Sequence, residues 1–325
     1  MRKYSGMPAK PGRHIVAQKT IFTRTMTLRR LVPAFLLLLL GVAPSAVAQQ
    51  MEIHLLDVGQ GDATVIVTPR GKTVLIDAGP KPDYVANLLA QDGIDTLDLV
   101  IASHNHADHI GGMAAVLRRS AVKYYLSNDV PSTTVTYRQV RERLSASNTV
   151  YLQPNARTIT VDSVRFRVLP AAASAKKDDQ NNRSVGILVE YRGFSALFTG
   201  DSETSELEHW LRFDSIPRVD VIKVAHHGSI NGTTAAWAGR TRPAVAVVSV
   251  GMNNGYGHPS AGVMKTWGAN AQKVFRTDRD GSVAVTVEET GEFTVETKRG
   301  AVCRTDPAAS IAREDGSRDV TIHCR

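Results

Sequence analysis

Thiols are scarce in this chain. Its 325 residues include two cysteines, Cys303 and Cys324, both within the last two dozen positions and outside every histidine cluster. Thiolate is thereby excluded from any metal site built on those histidines. In an exported chain, an even pair closing a loop of about twenty residues reads as a disulfide, expected here to staple a C-terminal tail over 299–325. Acidic residues are missing from positions 1–48, which carry Arg2, Lys3, Lys10, Arg13, Lys19, Arg24, Arg29 and Arg30. Those bases make up the whole formal net charge of +8, leaving 31 bases against 31 acids in the rest. The basic excess therefore belongs to the leader and argues nothing for DNA binding. A membrane-length apolar run is lacking too. Leu31 to Ala43 offers about thirteen residues, short of the roughly twenty that span a bilayer. With Arg29-Arg30 before it and Ala46-Val47-Ala48 after it, the run reads as a signal peptide over 1–48, cleaved before Gln49; Met26 is an alternative start. The protein is expected to be exported, periplasmic or extracellular, with no stable membrane span once the leader is gone. No fixed-period repeat is present.

Histidine is what the chain does have. Six of its ten histidines fall in three motifs, and the first, Ser103-His104-Asn105-His106-Ala107-Asp108-His109, packs three imidazoles and a carboxylate into six residues. The apolar run Leu97 to Ala102 upstream reads as a buried strand, and Gly111-Gly112 open a helix downstream. His104 and His106 are two apart, so an extended backbone points both the same way. Asp108 and His109 fall in the turn and can bend toward a second ion. Imidazole and carboxylate together suit zinc, with manganese or iron the alternatives. Three more ligand-bearing segments also come after apolar runs: Asp201 after Phe194 to Thr199, His226-His227 after Val219 to Val224, and His258 after Pro243 to Val250. Strand ends gather loops, so these segments are expected to share one rim. Asp201 can also cap a helix that begins at Ser202.

Between these motifs the chain alternates. Strands are expected at 65–67, 73–76, 158–169, 185–199, 219–225 and 244–250, helices over 83–89 and near 203–213, and a hairpin over 282–297 turning on Thr290-Gly291. The stretch 171–180 is poor in large apolar groups and reads as a loop close to the site. About 250 residues between leader and tail suffice for one large core or two fused halves, so 49–298 is read as a single domain. The pattern fits two sheets packed face to face with helices outside.

The motif at 104–109, Asp77 in Leu75-Ile76-Asp77-Ala78-Gly79, Asp201 after Phe-Thr-Gly, and His226-His227-Gly228-Ser229 together resemble the metallo-β-lactamase superfamily. Leu56-Asp57-Val58-Gly59-Gln60-Gly61-Asp62, Tyr256-Gly257-His258-Pro259 and Arg276-Thr277-Asp278 narrow the likeness to its ComEC-type competence metallo-hydrolases. The resemblance implies an α/β fold, the αββα sandwich, with two divalent ions. His104, His106 and Asp201 would hold one; Asp108, His109, Asp201 and either His226 or His227 would hold the other. Asp77 would orient a ligand histidine rather than hold metal itself. Asp57 and Asp62, flanking Gly59-Gln60-Gly61, read as turn formers. Catalysis would fall to Asp108, His258 and Asp77, with His258 donating to a phosphoryl oxygen or leaving group. One departure stands out: 178–184 reads Asp-Asp-Gln-Asn-Asn-Arg-Ser, without the histidine the superfamily usually places there, so an amide of Asn181 or Asn182 is the substitute. That disfavours a β-lactam substrate. The implied activity is phosphodiester hydrolysis by a metal-bridged hydroxide, with a phosphate ester such as DNA as substrate. A surface phosphorylcholine-type or small-molecule esterase is the alternative, and a non-catalytic metal-binding module the alternative of another class.

Overall fold

The structure, a computed structural model, describes residues 50–172, 175–312 and 317–325. The leader at 1–48 and part of the loop at 171–180 lie outside the described residues. The chain begins with strands β1 (Met51–Leu55), β2 (Ala63–Val67) and β3 (Thr73–Ala78), then helix α1 (Tyr84–Gln91) and β4 (Thr96–Ala102). After α2 (Ala107–Ile110) and α3 (Met113–Arg119) come β5 (Ala121–Ser127), α4 (Val135–Ser145) and β6 (Val150–Leu152). Next are β7 (Arg157–Val161), β8 (Val164–Leu169), β9 (Gly186–Tyr191), β10 (Phe194–Phe198), α5 (Thr204–Phe213) and β11 (Val221–Lys223). Then come α6 (Ala235–Thr241), β12 (Val245–Val248), α7 (Ala261–Asn270), β13 (Lys273–Arg276), α8 (Thr277–Asp280), β14 (Val283–Val287) and β15 (Phe293–Thr297). The chain ends with β16 (Val302–Thr305), β17 (Ile311–Ala312), β18 (Arg318–Asp319) and β19 (Ile322–Cys324).

Two mixed sheets form. One has ten strands in the order β19-β16-β15-β14-β1-β2-β3-β4-β5-β6; the other has seven, β13-β12-β11-β10-β9-β8-β7. Period-two alternation divides each strand between two environments. In β3 and β4, Val74, Ile76, Leu99 and Ile101 face the interior between the sheets, where they join Phe166, Ile187, Ala196, Phe198 and Val247 of the other sheet. Leu75 and Val100 point the other way, into a layer shared with α1 and α3. The outer face of the second sheet is covered by α5, α6 and α7, whose Trp210, Trp237 and Trp267 are all fully buried. Strands buried on both faces need helices outside, so the αββα layering follows from the composition of the strands themselves.

The tail differs from expectation. Instead of standing apart, β16 pairs with β15 and β19 and lengthens the first sheet, so no structural break occurs at 298. Cys303 and Cys324 are direct cross-strand partners joined by a disulfide, and Cys303 is buried in the intersheet core. The apolar alternation in Val302-Cys303-Arg304 is too short to announce a strand by itself; pairing to β15 makes it one. The run expected to be a strand over 219–225 also stops early, at Lys223, because His226 and His227 adopt left-handed backbone, φ +49° and +52°. Among the described residues no helix is long and apolar enough to cross a membrane.

Candidate metal centre

Parallel pairing brings the site together. β3 and β4 run side by side, as do β10, β11 and β12, so their carboxyl ends open on one rim. At the end of β3, Asp77 takes a left-handed backbone, φ +58°, a conformation non-glycine residues adopt only when their surroundings enforce it. The enforcing contacts are visible. Asp77 Oδ1 accepts the Ser103 backbone N–H at 2.7 Å, and Oδ2 accepts the Ser103 hydroxyl at 2.7 Å. His109 Nδ1 lies 2.9 Å from the same Oδ2. This contact fixes the His109 ring and leaves Nε2 aimed at Asp201, 3.2 Å from its Oδ1. Asp77 thus stands where an orienting carboxylate would stand.

Asp201, beyond β10, is the hub. Its Oδ2 lies 3.4 Å from His227 Nε2, 3.8 Å from His226 Nε2 and 3.9 Å from His104 Nε2. His104 Nε2 in turn lies 3.0 Å from His106 Nδ1, as two residues of extended backbone allow. Asp108 Oδ2 is 3.2 Å from His227 Nε2. The two adjacent histidines separate clearly. His227 is buried, turns Nδ1 toward the Ser249 carbonyl at 2.9 Å, and presents Nε2 to the cluster; His226 stays on the rim, its Nδ1 3.6 Å from Glu203 Oε1. Gly228 comes next with φ +80°, and a Cβ there would collide with Pro259, so glycine is required for the turn that seats both rings.

A cation fits this arrangement. His109 Nε2, His227 Nε2 and Asp201 Oδ1 are buried without hydrogen-bond partners, although such atoms are costly to leave unmatched. They belong to a group, Asp108, His109, Asp201 and His227, whose ligand atoms all lie within 4.8 Å of one another. A second group shares His109 with Asp62 and Asp77, but there Asp77 is engaged by Ser103 and Asp62 by Lys223. The first group is therefore the better fit. The carboxylates make this a place for positive charge: burial alone would keep His109 neutral, but Asp201, Asp77 and Asp108 outweigh it and hold the pKa well above the usual histidine value. His227 is raised against burial by Asp201 and Asp62. His104, buried and beside His109, is lowered, so it presents a neutral lone pair.

Around the hub lies an open cavity of about 340 Å³, with His106, Asp108, Asn181, His226, Tyr256 and His258 in its wall. The two asparagines separate here as well. Asn181 donates Nδ2 to Glu203 at 3.0 Å and keeps its carbonyl oxygen buried and unpartnered. Asn182 turns away to Asp179, Glu203 and the Ser205 hydroxyl. His258 is placed in the wall with its ring centroid 5.9 Å from that of His226, its pKa lowered by partial burial and by His226. Asp57 accepts from Gly59 N–H at 3.2 Å, as a turn former should.

Two residues gain a place that sequence reading missed. Asp62, read as a turn former, is buried beneath the site; its Oδ1 is 3.4 Å from His227 Nδ1 and its Oδ2 pairs with Lys223. Gly61 makes this possible, since a Cβ there would collide with the Asp108 carbonyl oxygen. Lys223 is 3% exposed at the side chain, donates to the Gly200 carbonyl at 3.0 Å, and lies 3.8 Å from Asp201 Oδ1. A lysine inside the largely apolar run Val219 to Val224 was the available signal.

Comparison with known proteins agrees with this geometry. A family model described as the metallo-beta-lactamase superfamily matches residues 56–251. "ComE operon protein 3" of Bacillus subtilis is 28% identical over 256 residues, which is 71% of this chain and 32% of that protein. "Recombination protein 2" of Haemophilus influenzae is 30% identical over 241 residues, 72% of this chain and 28% of that protein. "Endoribonuclease YSH1" of Gibberella zeae is 25% identical over 174 residues, 46% of this chain and 20% of that protein. The chain thus spans about a third or less of the length of these relatives. With the family model matched over more than half of the chain and its ligand-type residues converging at one rim, the protein belongs to the metallo-β-lactamase superfamily of metal-dependent hydrolases.

Proposed function

We propose that this protein is an exported metal-dependent phosphodiesterase, acting on a phosphate ester for which a nucleic acid is the leading candidate. The observation that carries the reading is the Asp201 carboxylate, with four imidazoles within 4 Å, at the floor of an open cavity. His109, His227, Asp108 and Asp201 would hold one divalent ion, and His104, His106 and Asp201 a second, with the unpartnered Asn181 amide oxygen in the wall of the same cavity. When bound, a pair of such ions supplies an acidified water nucleophile and a Lewis acid for the phosphoryl oxygen. Zinc suits the imidazole and carboxylate donors, and manganese is the alternative. The protein's own part is positional. Asp77 and Ser249 set the His109 and His227 rings, and His258 faces the cavity as a largely neutral imidazole whose N–H can donate a hydrogen bond to a phosphoryl or departing oxygen. Relatives named as a ComE operon protein and an endoribonuclease support phosphodiester chemistry. The Arg29-Arg30 leader and the Cys303–Cys324 disulfide support export, since such bonds persist in oxidising compartments.

The test is substrate discrimination. Purified protein loaded with zinc or manganese is assayed against single-stranded DNA, bis(p-nitrophenyl) phosphate and a cephalosporin. Cleavage of the diesters alone is expected; cleavage of the cephalosporin alone refutes the proposal.

A further inference from the structure

Tyr256 is 73% exposed, yet it stands in the wall of the metal cavity. The loop that carries it is tightly braced. Asn254 donates Nδ2 to the carbonyls of Gly251 and His258 at 3.0 and 2.7 Å, and its Oδ1 accepts the N–H groups of Tyr256 and His258 at 3.2 and 3.1 Å. Ser260 N–H closes the loop onto the Gly228 carbonyl at 2.9 Å, beside His227. The backbone that bears the phenol is therefore held in place while the ring itself stays exposed, which costs apolar exposure and adds nothing to the core. Its plane lies within 15° of the His258 ring, with centroids 5.8 Å apart, and His258 meets His226 edgewise at 5.9 Å. A row of rings thus leads from solvent to Asp201.

Charge narrows what the row can receive. Among the described residues, no lysine or arginine lines the cavity. In the adjoining groove, which shares Gln60 with it, Lys81 is the one cation among the described residues of the wall, where Asp57 and Asp278 also stand, Asp278 paired with Arg276. Proteins that track long nucleic-acid backbones do so with basic grooves, while aromatic platforms take bases one at a time.

We infer that Tyr256 is a stacking platform for the base adjoining the scissile phosphate. The substrate is then a short or single-stranded nucleotidyl phosphodiester, recognised through one base rather than along a duplex. This rests on the phosphodiesterase reading, and the experiment separates the two. Calorimetric titration of the full protein compares adenosine monophosphate with ribose 5-phosphate, which lacks the base. The wild type should favour the nucleotide by roughly 5- to 150-fold, the span of a base stacked on an aromatic side chain. Tyr256→Ala should abolish that preference without altering the thermal transition, and Tyr256→Trp should keep it. Equal affinity for the two ligands in the wild type, undetectable nucleotide binding, or a preference that survives in Tyr256→Ala overturns the inference. In parallel, hydrolysis of bis(p-nitrophenyl) phosphate is followed. A base preference without any diester cleavage upholds the platform and refutes the phosphodiesterase reading; cleavage without base preference does the reverse.

Discussion

Replacing Lys223 with methionine should destabilise the protein far more than a surface charge change, because the ammonium is sealed beneath the metal centre. It neutralises Asp62, donates to the Gly200 carbonyl and faces Asp201 Oδ1 at 3.8 Å. Methionine fills similar space but leaves Asp62 as a buried carboxylate without its cation. Breaking a buried pair from one side costs about 3–5 kcal/mol. Asp62 reports the same interaction through its pKa. Burial pushes the carboxyl up, but Lys223 first, and then His227 and His109, pull it down to about 2. A lowered acid pKa contributes stability that is present above the unfolded value near 3.8 and is lost as pH falls through about 2. A shift of that size is worth about 2–3 kcal/mol. Without Lys223 the carboxyl titrates higher, so the variant should begin to lose stability at a higher pH than the wild type during acidification. Urea unfolding at pH 7 and along an acid series measures both effects. Asp62→Asn combined with Lys223→Met should cost less than the sum of the single changes, since neither charge is then stranded. A loss under about 1 kcal/mol for Lys223→Met at pH 7, or strict additivity in the double variant, would refute the buried-pair argument.

Asp77→Ala should release the His109 ring and weaken metal binding by about 10–100-fold, seen in metal titration; unchanged affinity would mean Ser103 or packing alone sets the ring. Asn181→His should tighten the ion beside His104 and His106, whereas Asn182→His, facing Asp179 and Ser205, should leave the titration curve unchanged; the opposite pattern would reverse the assignment of the two amides. Cys303→Ser should lower stability by about 3 kcal/mol, as expected for a bridge across 21 residues, and leave diester turnover intact. An intact mass showing two free thiols in the wild type, purified without reductant, would contradict the bond itself.

The sequence by itself determined the layering and most of the residues that gather at the candidate metal centre. Valine, isoleucine and leucine alternate in β3 and β4 so that both faces of the strands are apolar, which forces helices outside and a second sheet inside. His104, His106, Asp108 and His109 were legible because a short motif carries its own geometry: two residues of extended chain, then a turn. Hairpins such as 282–297 were legible for the same local reason. What needed the tertiary structure were choices between neighbours. His226 and His227 are chemically identical in sequence; only two successive left-handed residues, and the Ser249 carbonyl from β12's far end, send one to the cluster and the other to the rim. Asn181 and Asn182 divide in the same way, through Glu203 and Ser205 on the approach to α5 and its first turn. Asp62 and Lys223 are 161 positions apart, and β16 becomes a strand only by pairing with β15. Such contacts have no periodicity to announce them, because they depend on which strand ends the sheet order brings side by side.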